Sequence, residues 1–219
     1  MKKRSRNWLI GLVVLVVLLI IGGWYWHQRQ ARQAEQVAQT TQVHQRTTAK
    51  AANDRVTKQI REQWVGARKT YVAADLTAAK LASLQSAQRR AQKMARADAK
   101  ASAANAKALK RLQQAYQQTA RVNALFEAPA LVGAKVDKPA QVRATTTAAK
   151  VTAAAPSAVN ATLLATLQQL CDVGQKQVAS RTTLEAAVAK IATGGTLKTT
   201  ATLADLKAFI AVVDGLTGL

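Results

Sequence analysis

Residues 8–26 read WLIGLVVLVVLLIIGGWYW, nineteen positions without a charge. As a helix rising ~1.5 Å per residue, a stretch of that length reaches roughly 28 Å, close to the ~30 Å hydrocarbon thickness of a bilayer. A backbone in lipid must satisfy its own hydrogen bonds, so the run predicts a single transmembrane helix in which Gly22 and Gly23 are tolerated. Trp8 at one end and Trp24, Tyr25 and Trp26 at the other are the expected membrane-interface residues, since amphipathic rings settle at the headgroups. The seven residues before the span, MKKRSRN, hold Lys2, Lys3, Arg4 and Arg6 and no acid. A short positive flank stays in the cytoplasm, which places the remainder of the chain outside. A cleaved signal has a shorter apolar core and small residues at its cleavage site. Bulky aromatics follow this run instead, so the expected localisation is the cell membrane, single-pass, through an uncleaved signal anchor.

Charge is the second feature. The chain carries 32 Lys or Arg against 11 Asp or Glu, a net +21. Residues 27–122 hold nineteen bases and five acids, net +14, whereas residues 123–219 hold nine bases and six acids, net +3. The basic character therefore belongs to the segment nearest the membrane, and it points to polyanions such as anionic lipid or teichoic-type wall polymer. The candidate polyanion-binding residues are Arg55, Lys58, Arg61, Arg68, Lys69, Arg89, Arg90, Lys93, Arg96, Lys107, Lys110 and Arg111. Nucleic acid is a weaker expectation, because aromatic residues are sparse in the basic run and no reading motif is present. The lone Cys171, in the run LLATLQQLC, cannot form an internal disulfide and reads as a small buried apolar residue.

Beyond the anchor the chain reads as all-α. Residues 28–126 contain no proline and only Gly66 among glycines, with Ala, Gln, Lys and Arg in excess, so a long basic helical stalk is expected over 27–122, as one rod or folded into a hairpin. Val56, Ile60, Trp64, Ala67 and Tyr71 fall at helical spacing. So do Leu84, Ala87, Ala91, Met94, Ala101, Ala108, Leu112, Ala115, Val122 and Phe126, with Asp98, Asn105 and Thr119 as polar interruptions. An alanine-rich seam buries little area and calls for a close or weak helix partner. No clear repeat of 20 to 50 residues emerges.

Pro129, Gly133 and Pro139 end the stalk, and residues 123–219 are expected to form a small C-terminal helical bundle. Its first helix would start at Asp137 and Pro139 and turn Val142, Ala149 and Ala153 inward. Ser157 would cap a second, which ends or bends at Gly174. Thr182 with Glu185 has capping-box spacing for a third that stops at Gly194 and Gly195, and Thr202 with Asp205 opens a fourth. The expected divisions are thus a cytoplasmic tail at 1–7, the anchor at 8–26, the stalk at 27–122 and the bundle at 123–219.

No catalytic chemistry is legible. His27 and His44 have no acidic or thiol companion at ligand spacing and read as exposed polar residues. The chain lacks H-E-x-x-H, G-x-S-x-G, a phosphate loop and a dinucleotide fingerprint, and its carboxylates are scattered. The expectation is no enzyme, no cofactor and no metal.

The stretch Arg121-Val-Asn-Ala-Leu-Phe126, followed by a loop with Gly133 and Val136 and then by amphipathic helices, resembles the V-N-A-L-[FY] helical module of Gram-positive surface proteins. Over residues 115–192 it is similar to the extracellular helical subdomain of the mid-cell-anchored protein Z family, single-pass proteins that mark the division site from outside. That likeness implies an envelope-facing helical module. The family's cytoplasmic region engages the division ring, whereas only Met1 to Asn7 would lie inside here, so a ring-positioning role does not transfer. The functional expectation is a membrane-anchored binding or scaffold protein of the Gram-positive envelope, whose stalk contacts wall polymer or lipid. The alternatives are an accessory subunit of a division or secretion complex, paired with an envelope protein through the alanine seam, and a membrane-tethered nucleic-acid binder.

Overall fold

The computed structural model describes residues 4–94, 98–137, 140–157 and 159–217; within its helices the side chains of 4–23, 25, 31, 33, 34 and 215–217 lie outside the description. The chain is mostly helical. Helix α1 (Arg4–Glu62) leads into strands β1 (Trp64–Val65) and β2 (Tyr71–Val72), then helices α2 (Ala78–Lys93) and α3 (Ala99–Asn123). Strands β3 (Leu131–Val132) and β4 (Lys135–Val136), helix α4 (Ala148–Ala153), helix α5 (Ala161–Ile191), strands β5 (Ala192–Thr193) and β6 (Thr196–Leu197), and helix α6 (Leu203–Thr217) follow. Among the residues whose side chains are described, no helix is long and apolar enough to cross a membrane. The expected span at 8–26 lies almost wholly outside that set, and its backbone forms part of α1.

The expected stalk is folded back on itself. From Trp24 to Thr48 every described side chain of α1 is exposed, and Thr40, Thr41 and Thr47 turn their hydroxyls onto the carbonyls four residues earlier. Packing begins at Ala49. Trp64 and Tyr71, expected on a helical face, instead sit in the antiparallel hairpin β1–β2, where Trp64 pairs with Val72. The alanine seam divides between α2 and α3, which lie against each other and against the end of α1. Two of its polar interruptions set the register. Asn105 Nδ2 donates to the Asn53 carbonyl at 2.9 Å, its Oδ1 accepts from Thr57 at 2.7 Å, and Asn53 Nδ2 donates to Asp98 Oδ2 at 3.1 Å. Buried polar groups tied in this way permit one alignment of α1 on α3 and penalise any other.

The structure also reveals a repeat that a fixed period conceals. Three times a long helix ends in a strand pairing and a tight turn, and a shorter helix then starts at a threonine. The pairings are Trp64 with Val72, Phe126 with Val142, and Ala192 with Leu197. Next to each, the same backbone bond closes the reversal at 2.9 Å: Ala73 N–H to Gln63, Arg143 to Leu125, Lys198 to Ile191. Three residues on, Leu76, Thr146 and Ala201 donate to the carbonyls of Ala73, Arg143 and Lys198. Thr77, Thr147 and Thr202 then accept from the N–H groups of Lys80, Lys150 and Asp205 at 3.2, 3.3 and 3.2 Å. Each such cap satisfies one orphan donor of the first helical turn.

The three units differ in what lies inside the reversal. The first carries a short loop. The second carries residues 127–141, with the extra hairpin β3–β4 clamped by Asn123, whose side chain bonds both the N–H and the carbonyl of Leu131. In the third, Gly194 and Gly195 have φ of +60 and +82, the pair of left-handed residues that a two-residue hairpin needs. The V-N-A-L-F stretch is the helix end of the second unit: Val122 and Phe126 are fully buried and Asn123 holds the hairpin.

Several expected helices are corrected. Residues 140–147 are not helical, and the expected start at Pro139 lies outside the described residues: Val142 bridges Phe126, and α4 starts only after Thr147, because Thr146 is buried and bonded to the Leu125 carbonyl. The cap of α5 is Asn160 rather than Ser157, its Oδ1 accepting from Leu163 at 2.9 Å. Gly174 does not end the helix. A Cβ there would stand 3.6 Å from Val142 and 3.7 Å from Val151, ordinary contact distances, so the position faces the second unit without requiring a glycine. Thr182 and Glu185 open no helix, since both lie inside α5, where Thr182 back-bonds to Val178 and Glu185 faces Arg181. Thr202 and Asp205 do form the expected reciprocal box, and the bond from Thr202 holds the Asp205 carboxyl below its ordinary range. Cys171 is buried, and burial, helped by neighbouring Asp172, pushes its thiol up, which leaves it a poor nucleophile.

One apolar core runs from Val56 to Val178, across the boundary expected at residue 122, with Phe126, Leu112, Leu163 and Leu167 at its centre. Phe126→Ala is expected to cost about 3–5 kcal/mol, the usual penalty for an emptied aromatic site. Chemical unfolding followed by circular dichroism should show a single transition at a lower midpoint. Two transitions, one unmoved, would mean separate cores.

Candidate anion-binding cavity

The first reversal does more than turn the chain. The end of α1, the β1–β2 loop, the middle of α3 and the residues before α5 enclose an open cavity of about 540 Å³ lined by Arg61, Trp64, Lys69, Arg111 and Asn160, with Ala108, Ala115 and Val159 as apolar wall. Each part arrives for a local reason. Arg61 lies in the last turn of α1, where a cation complements the helix's negative end. Ala108, Arg111 and Ala115 are three and four residues apart, so α3 presents them on one face. Trp64 is half-buried, packed on the core, and also lines the cavity.

The loop that carries Lys69 is held in an unusual way. Lys69 has φ of +50, and it is the only non-glycine in the left-handed region among the described residues. Its N–H donates to the Gly66 carbonyl at 2.9 Å, and the next carbonyl, Thr70, accepts from Asn160 Nδ2 at 2.7 Å. Tyr71 reaches α5 as well, its hydroxyl 3.1 Å from that of Thr166. The amino end of α5 is thus pinned to the loop, and its positive dipole end adds to the cations at the rim. Among the described residues, no acidic side chain lines the cavity. Three basic side chains, a helix amino end and an indole surface suit an anionic group attached to a ring or polyol, with the anion held by charge-assisted hydrogen bonds.

Of the twelve candidate cations, Arg61, Lys69 and Arg111 converge here. Arg55, Lys58, Arg68, Arg89, Arg90, Lys93, Lys107 and Lys110 are exposed elsewhere, on α1, the loop, α2 and α3, and Arg96 lies outside the described residues. Lys93 lines a second hollow with Arg46 and His44 beside the exposed part of α1, but among the described residues no tryptophan, tyrosine or phenylalanine lines it. Trp24 and Trp26 are 71% and 67% exposed, while the side chains of Trp8 and Tyr25 lie outside the description. Sequence reasoning named the cations but missed Trp64, Asn160 and the apolar wall. The turn at Gly66 was the available signal. Compared with family models, curated proteins and solved structures, the chain matches none of them.

A left-handed conformation costs a residue with a Cβ roughly 1–2 kcal/mol. Lys69→Gly should therefore raise the unfolding midpoint, and Lys69→Ala should leave it nearly unchanged. Both should weaken anion binding. Thermal unfolding of the pair checks this, and equal midpoints would contradict the strain.

Proposed function

We propose that this chain is a single-pass membrane protein of the Gram-positive envelope that binds an anionic polymer outside the cell. It acts as a binding or scaffold element, with no chemistry of its own. The observation that carries this reading is the convergence of Arg61, Lys69 and Arg111 with Trp64 in one acid-free cavity. The uncharged run at 8–26 and the basic residues before it supply the anchor and its orientation, with Trp8, Trp24, Tyr25 and Trp26 at the headgroups. The exposed length of α1, Trp24–Thr48, serves as the stalk, and at ~1.5 Å per residue it lifts the folded units roughly 37 Å from the membrane. The cations outside the cavity guide a polyanion toward it and add weaker, screened contacts. Repeating phosphate on a polyol or sugar backbone is the polymer chemistry that fits, because Trp64 offers a face for the ring or chain between anionic groups.

Wall-stripped cells displaying the chain are expected to bind a fluorescent polyglycerol phosphate, with affinity falling steeply as salt rises. A charge-assisted hydrogen bond is worth about 1.5–3 kcal/mol, so Arg61→Ala with Arg111→Ala should weaken binding at least tenfold. Affinity indifferent to both salt and the double substitution would refute the cavity. Binding by purified protein but not by the cells would refute the orientation.

A further inference from the structure

The cations of the cavity differ from those at the other two reversals in being uncommitted. At the second reversal Arg143 Nε donates to the Phe126 carbonyl at 2.7 Å, Arg181 donates to the carbonyls of Arg143 and Thr146, and Lys150 donates to that of Thr145 at 2.8 Å. At the third, Lys198 donates to the Ala189 carbonyl. In the first unit Lys80 is paired with Asp75. The side chains of Arg61, Lys69 and Arg111 have no hydrogen bond or ion pair among the described residues.

Acceptors in the lining are the opposite case, because they are already engaged. Asn160 Oδ1 accepts from the Leu163 N–H, and the Thr70 carbonyl accepts from Asn160 Nδ2. Arginine, lysine and the indole of Trp64 carry donors and no acceptor. The acids of the same unit are placed elsewhere: Asp75 meets Lys80, Asp98 meets Asn53, and Asp54 and Glu62 are exposed outside the lining. A group that enters therefore meets donors and positive charge with nothing to balance a second cation. A phosphodiester brings acceptors alone and satisfies several of these donors at once. An ammonium carried on the same polymer unit faces three like charges, and a walled hollow screens them less than the open surface does.

Resting on the reading of this cavity as the polymer site, we propose that it selects polyol phosphate whose hydroxyls are bare or carry neutral groups, and excludes units that bear an amino group, such as aminoacyl esters. The protein then distinguishes stretches of one polymer by their substitution. What sets the choice is the missing counter-charge in the wall, not the overall charge of the chain.

The test is the affinity of the full-length chain in detergent for three preparations of polyglycerol phosphate of equal length: bare, alanylated, and alanylated then N-acetylated. Acetylation keeps the bulk of the ester and removes its charge. At pH 6 an α-amino group, with a pKa of roughly 7.7–8.0, is protonated. The alanylated polymer is expected to bind roughly tenfold more weakly than the bare one, and N-acetylation to restore binding to within about threefold. Thr70→Asp puts a carboxylate into the lining and should bring the bare and alanylated polymers to within about threefold of each other. Ala104→Asp, exposed on α3 outside the lining, changes the net charge equally and should leave the discrimination intact. Should Thr70→Asp fail to fold, Ala108→Asp carries the same charge into the wall from α3. A wild-type chain that binds bare and alanylated polymer equally overturns the selection and leaves the cavity as the polymer site. Equal weakness of the alanylated and N-acetylated polymers also overturns it, since bulk would then be what is refused. So does equal relaxation by the inner and outer aspartates, which would assign the choice to overall charge. Failure to bind the bare polymer at all would refute the polymer reading itself.

Discussion

The bond from the Ala73 N–H to the Gln63 carbonyl, with its counterparts Arg143 to Leu125 and Lys198 to Ile191, is the constraint on which the architecture rests. Each one converts the end of a long helix into a reversal, and a threonine cap then starts a helix that can lie back along the first. Without the reversal the alanine-rich faces of α1, α2 and α3 would have no surface to meet, because small side chains stabilise a pairing only at close approach. With it, three units of one kind stack through contacts between neighbours, and the core extends from Val56 to Val178 as a consequence.

How much of this could be read from the residues depended on whether the signal was local. The helical character of residues 28–62, 78–93 and 99–123 followed from composition, and the Thr202–Asp205 box from its spacing. The reversal at Gly66 was less legible, because the segment lacks proline and places Val56, Ile60, Trp64 and Tyr71 at spacings that suit one helical face equally well. Thr77 and Thr147 went unrecognised as caps since the third residue after each is Lys80 or Lys150, not an acid. Yet both open the same tetrapeptide, Thr-Ala-Ala-Lys, seventy residues apart. The next capping threonine, Thr202, comes only fifty-five residues later, since the loop inside the reversal varies, and a search at one fixed period passes over it. Thr182 and Glu185 show the reverse error: the spacing is right, but Thr182 spends its hydroxyl on the carbonyl of Val178 inside a 31-residue helix.

The same turn explains why three of twelve scattered cations become a site. Arg61 ends the helix, Lys69 sits in the loop in a left-handed conformation, and Arg111 is brought across from α3 by the packing that Asn105, Asn53 and Thr57 align. Arg111 lies 42 residues beyond Lys69 in the sequence, so the basic composition could indicate a class of partner but not a place. Trp64 belongs to the strand pairing and to the cavity at once, which couples the integrity of the fold to the surface offered to a ligand.

Spin labels at Lys58 and Lys107 test the reversal most directly. A continuous helical stalk would separate these positions by about 74 Å at ~1.5 Å per residue. In the folded-back chain each adjoins the Thr57–Asn105 hydrogen bond of 2.7 Å or lies within a turn of it. A short distance dominating the pulsed electron–electron spectrum is the predicted result, and a distribution centred near the rod value would contradict the account.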